Sequence, residues 1–98
     1  MYFEMELKQI ENISKALGDI NRLKILVNMA AGGGSIQCSK IINATELAQP
    51  SVSHHIKALV EAGLIESEKD GRSYTYLLNK ELLYAFTKAL SELAEKDC

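Results

Sequence analysis

Cysteine, proline and tryptophan are scarce: two, one and none in 98 residues. The two cysteines, Cys38 and Cys98, stand far apart, so they form neither a disulfide framework nor a paired metal motif. No stretch approaches the roughly 18 consecutive apolar residues that a membrane-spanning helix needs. Glu4, Glu6 and Lys8 interrupt the segment that a secretion signal would keep apolar, so a cytoplasmic protein is expected. A large charge of one sign is missing too. Eleven Lys and Arg against 13 Asp and Glu give a net −2, which argues against indiscriminate polyanion binding but permits a local basic surface. What remains is ordinary for a globular chain: 47% apolar, 24% charged, and the length of one small domain over residues 1–98.

Helical spacing dominates the first two thirds. Ile10, Ile13 and Leu17 predict a helix over Met5 to Leu17, broken by Gly18-Asp19. Asp19 can cap a second helix with Leu23, Leu26, Val27 and Ala30 as its apolar face, ended by Gly32-Gly33-Gly34. That triple glycine reads as a turn, because a nucleotide-binding loop follows a strand and carries Lys-Ser/Thr behind its glycines. A short third helix is expected from Cys38 to Ala44, and a fourth from Pro50, which suits a first helical turn, to Gly63. The period then changes. Leu64–Glu68 and Ser73–Leu78 read as strands joined through Lys69-Asp70-Gly71-Arg72, and residues Asn79 to Lys96 as a last helix with Leu82, Phe86, Ala89, Leu90 and Leu93 on one face. The expected fold is mainly α with a β-hairpin wing: a winged helix-turn-helix of five helices and two strands.

The fourth helix carries the chemistry. At about 100° per residue Val52, Ile56, Leu59 and Val60 share the core side. His54, Lys57, Ala58 and Glu61 point away, with Ser51 and Ser53 on the flanks and Gln49 at the entry. Short hydroxyls, an imidazole and an ammonium on an otherwise uncrowded face suit a helix in the DNA major groove, and Lys69 and Arg72 at the hairpin tip suit phosphate or minor-groove contact. The candidate DNA contacts are thus Gln49, Ser51, Ser53, His54, His55, Lys57, Lys69 and Arg72, with His54 the better groove candidate and His55, beside the apolar stripe, favoured as a hydrogen-bonded scaffold residue.

Other uses of these residues fit less well. Adjacent histidines cannot share a helix face and have no Asp, Glu, Cys or His three or four positions away, so no metal site is expected there. Ser51 and Ser53 have no sign of a base oriented by a third group, so no enzyme is expected, and nothing implies a cofactor. A winged helix that docks a protein partner instead of DNA is the second reading, supported mainly by the acidic total charge.

Two stretches together, ISKALGDINRLKIL (Ile13 to Leu26) and ELAQPSVSHHIKALVEAGLIESEKDGRSYTYLL (Glu46 to Leu78), resemble the ArsR/SmtB family of bacterial transcriptional repressors over nearly the whole chain. The resemblance implies a homodimeric repressor that binds double-stranded DNA of imperfect dyad symmetry and leaves it when an inducer binds. It also implies a dimer built from the first and last helices, and a small domain gains from burying such apolar faces against a partner; Ile10 and Leu90 are expected on that shared face. Metal-sensing relatives would place ligands where this chain has Gln37 and Ser39, around Cys38, and where it has Lys80, Leu82, Leu93 and Lys96. None of those is a metal ligand of the expected kind. Thiol-sensing relatives carry one cysteine on the second helix, absent here, leaving Cys38 and Cys98 as the only candidate redox residues and the inducer unidentified.

Overall fold

A computed structural model describes residues 5–37, 40–41 and 47–95. Its delineated helices are α1 (Leu7–Leu17), α2 (Ile20–Ala31), α3 (Gln49–Glu61) and α4 (Lys80–Glu95), and its strands are β1 (Ser35–Gln37), β2 (Ile65–Asp70) and β3 (Ser73–Leu78). Of the expected third helix only Lys40 and Ile41 are described, both helical, with Ile41 fully buried; the rest of it lies outside the described residues.

The two central helices end in the same way, and for the same reason. After α2 the Gly33 and Gly34 amides reach back to the Ala30 and Met29 carbonyls, and after α3 the Gly63 and Leu64 amides reach back to Val60 and Leu59. Each closure requires a left-handed residue just past the helix, supplied by Gly33 (φ 82°) and Gly63 (φ 81°). Each then releases the chain into a strand. The triple glycine is indeed a turn, and it leads into a strand that the sequence reading did not anticipate: β1 pairs antiparallel with β3, Ile36 opposite Tyr76. The sheet therefore has three strands in the order β1-β3-β2, where two were expected. β2 and β3 form the hairpin, with Asp70 opposite Ser73, so the turn is the two residues Gly71-Arg72 and β2 runs on through Lys69 and Asp70.

The core gathers Ile13 and Ala16 of α1, Ile25 and Met29 of α2, Val52, Ile56 and Leu59 of α3, Leu64 and Ile65 at the wing's root, and Phe86 and Ala89 of α4. Burying one such Leu or Ile side chain contributes about 1.5–3 kcal/mol. Three expectations about faces are corrected. On α2 most of the expected apolar face turns outward, Leu23 at 40% and Val27 at 67% exposure with Ala30 also exposed; Leu26 alone of that face packs on the core, and Ile25 and Met29 are buried. The helix is apolar on two opposite sides, and the side that also carries Arg22 faces α3. Val60 is 38% exposed, at the edge of the α3 stripe instead of within it. Ile10 belongs to its own chain's core, whereas Leu90 and Leu93 project from α4 into solvent.

Asn79 joins the wing to α4. Its side-chain oxygen accepts the Leu82 amide (3.1 Å), capping the helix, while its side-chain amide donates to the Gly63 carbonyl (3.2 Å). The end of α3 and the start of α4 are thereby held by one residue. No helix among the described residues is long and apolar enough to cross a membrane.

Candidate nucleic-acid interface

Pro50 sits in the first turn of α3, where its missing N–H is no loss. Val52, Ile56 and Leu59 seat the helix on the core. What they leave outward is Ser51, Ser53, His54 and Lys57, all exposed. Gln49 opens the helix, and its side chain lies outside the described residues. Lys57 Nζ lies 4.0 Å from Glu61 Oε1 one turn on, with both side chains more than half exposed, an arrangement too solvated to neutralise the ammonium.

His55 is separated from this set. It is buried at 9% exposure, and its Nδ1 accepts a hydrogen bond from Arg22 Nε at 3.2 Å. Among the candidate DNA contacts whose side chains are described it is the one that faces into the protein, because position 55 lies directly beside the buried positions 52 and 59 on the helix surface. The Asp19 carboxylate is also 3.9 Å from His55 Nδ1. One unprotonated nitrogen cannot both accept from Arg22 and donate to Asp19, and only the Arg22 contact is within hydrogen-bond distance, so Nδ1 is the acceptor. Asp19 is occupied elsewhere: its Oδ1 accepts the Asn21 and Arg22 amides at 2.8 and 3.3 Å, capping α2 as its position in the sequence predicts. Burial pushes the Asp19 carboxyl up, but the Arg22 and Asn21 amides and the surrounding positive charge outweigh it, and the group sits below its ordinary value.

Arg22 completes the arrangement. Its Nη1 donates to the Lys15 and Ala16 carbonyls at the end of α1, 3.3 and 3.4 Å away. Asp19, Arg22 and His55 are brought together although Arg22 and His55 are 33 positions apart. This link escaped the sequence reading. The only signal for it was that Asp19 and Arg22 fall in the same short segment, Ala16 to Arg22, that carries the family resemblance.

On the wing, Lys69 and Arg72 are exposed at and beside the turn. Lys69 Nζ lies 5.8 Å from the centre of the Tyr74 ring, its cross-strand partner. Alternation along β2 puts Glu66 and Glu68 on the opposite face from Ser67 and Lys69. Lys69 is thus separated from the two glutamates of its own strand, a division the charge count alone hides. Cys38, Ser39, Lys96 and Cys98 lie outside the described residues. Gln37 ends β1, Lys80 begins α4, and among the described residues no group of three His, Cys, Asp or Glu side chains is placed to hold a metal ion.

Known proteins agree with this geometry. Residues 19–67 match the model of the bacterial regulatory protein, arsR family. The chain is 34% identical to the arsenical resistance operon repressor of Staphylococcus aureus over 81% of this chain and 74% of that one. It is 36% identical to an uncharacterized HTH-type transcriptional regulator of Methanocaldococcus jannaschii over 83% and 90%. Among solved structures, an ArsR family transcriptional regulator superposes with a TM-score of 0.82 at 30% identity, covering 93% of this chain and 92% of the other. A homodimeric winged helix-turn-helix DNA-binding domain from Mycobacterium bovis superposes with 0.72 at 27% identity, over 91% and 82%. With its central helices, wing and exposed polar helix face in the arrangement described, this chain belongs to the arsR family of bacterial regulatory proteins and is a winged helix-turn-helix DNA-binding regulator.

Proposed function

We propose that the protein is a cytoplasmic homodimeric repressor that binds a duplex of dyad symmetry, with α3 of each protomer in the major groove and the wing on the flanking backbone. The observation that carries the reading is the outward face of α3: Ser51, Ser53, His54 and Lys57 are exposed on a helix whose other side is locked into the core. Hydroxyl and imidazole groups reach base edges, Gln49 lies at the entry where a first base would be met, and Lys57, Lys69 and Arg72 meet phosphates. Dimer formation is supported by apolar side chains that one protomer leaves exposed on its terminal helices, Leu7 on α1 and Tyr84, Leu90 and Leu93 on α4. Residues 1–98 act as one domain whose terminal helices supply that interface.

The test is selection of bound sequences from random duplexes, followed by Ser53→Ala, His54→Ala and Lys57→Ala measured on the selected site at fixed salt. Loss of a base contact costs about 1–3 kcal/mol. Unchanged affinity in all three would take α3 out of the groove.

A further inference from the structure

Burial of Val52, Ile56 and Leu59 fixes which side of α3 faces the core, but apolar contact is non-directional and sets the finer rotation about the helix axis less sharply than a hydrogen bond does. At a helix radius of about 5–6 Å a turn of 20° carries a side-chain tip about 2 Å sideways. That is enough to break a hydrogen bond to a base edge. A directional contact narrows that remaining freedom. On the α1 side the packing is open: a cleft of about 360 Å³ runs between the helices, lined by Asn12, Lys15, Arg22, Ala58 and Glu61. Across that junction runs the Arg22 guanidinium, half-buried, donating through Nε to His55 Nδ1 at 3.2 Å and through Nη1 to the Lys15 and Ala16 carbonyls.

We propose that Arg22 is a positioning residue for DNA recognition: by bridging the carbonyl end of α1 to His55, it sets the rotational register in which α3 presents Ser53, His54 and Lys57. The proposal rests on the reading of α3 as the groove helix. His55 and His54 then divide the work between neighbours, one gripping the scaffold and the other facing DNA. Arginine is required because the bridge uses two donor positions at once. Lysine keeps the charge and the stem but has one nitrogen and cannot span both partners.

The experiment compares wild type with Arg22→Lys, His55→Leu, His55→Asn and the Arg22→Lys/His55→Leu double variant. Asparagine places a carbonyl oxygen where Nδ1 stands. Each protein is titrated with the selected duplex and with an unrelated one over a range of salt, and amide hydrogen exchange is recorded without DNA. Arg22→Lys and His55→Leu are each expected to lose discrimination between the two duplexes by about five- to tenfold, the scale of one hydrogen bond. Affinity for unrelated DNA and the salt slope stay unchanged, the double variant is no worse than either single one, and His55→Asn recovers discrimination. Exchange should speed up in α3 while α2 stays protected. A merely structural arginine would instead weaken both duplexes together and lower the melting temperature, and that result, additive losses, or unchanged discrimination would overturn the proposal. Should Arg22→Lys not fold, the two His55 variants carry the comparison. If wild type discriminates among no duplexes, the groove reading fails by itself; exchange then decides the bridge, with faster α3 exchange supporting it and unchanged exchange overturning it.

Discussion

Arg72→Ala tests the wing at the place where position and charge are simplest. Arg72 is exposed in a two-residue turn at the far end of β2 and β3, so its loss disturbs no core packing. In a dimer the substitution removes one cation from each protomer. Each phosphate contact releases counterions worth a slope of about 0.9 in log affinity against log salt, so the variant's slope should be shallower by about 1.8. Between 50 and 200 mM salt, about 0.6 log units, the gap between wild type and variant should narrow by about twelvefold. The loss should be nearly equal for the selected duplex and for unrelated DNA, because phosphates carry no sequence. The assay is fluorescence anisotropy at four or more salt concentrations on both duplexes, with thermal denaturation to show that the fold is intact. A gap independent of salt, or one confined to the selected duplex, would mean that Arg72 reads bases, and no gap at any salt would mean that it does not touch DNA; either way the electrostatic reasoning would be wrong.

Three further outcomes are expected. Leu90→Asp should dissociate the dimer in sedimentation while the protomer stays folded, whereas Ile10→Ala, made inside the core, should cost about 2–5 kcal/mol in urea denaturation; a dimer untouched by Leu90→Asp would move the interface elsewhere. Gly71→Ala should cost about 1–2 kcal/mol for its left-handed backbone alone, since a Cβ there meets nothing, while Gly63→Ala should cost more because the new Cβ comes within 3.1 Å of Leu82 Cδ2; equal costs in urea would refute the close approach. Asp19, held below its ordinary value in the folded protein, adds stability that is present above the unfolded carboxyl's range and lost as pH falls through the lower folded value. Asp19→Asn should therefore flatten the acid limb of a stability–pH curve, and an unchanged limb would count against the capping role.

Elements whose partners are near in sequence were legible from it. The Asp19 cap, Pro50 in a first helical turn, the glycine stops and the hairpin turned at Gly71 are each set by a few neighbouring residues, and the polar face of α3 follows from one helix period. What was hidden depends on distant partners. β1 is three residues long and exists only because β3, some forty positions on, lies beside it. The rotation of α2 could not be chosen from its pattern, since Leu23 and Val27 on one side are as apolar as Ile25 and Met29 on the other. The choice shows only in the folded chain, where the Ile25 and Met29 side is buried and Arg22 on that side reaches a histidine that the sequence places in another helix. The candidate site was readable as a set of residue types, while the separation of His55 from His54 required knowing what lay behind the helix.

The unequal pairing of β3 has a mechanical consequence. From Thr75 to Leu77 the strand is hydrogen-bonded on both flanks, to β1 and to β2, but at Ser73 and Tyr74 it has β2 alone. A three-stranded root resists bending, and a two-stranded ribbon is marginal by itself. The wing is therefore a stiff arm with a compliant end, hinged at Thr75 and reaching about 7 Å farther to its turn. Lys69 and Arg72 both ride on the compliant end. On the proposed reading of α3 and the wing, their charges would follow a backbone whose path varies from one duplex to the next while the root keeps α3 where it is, and shape tolerance and base reading would fall to different stretches of one hairpin-linked frame.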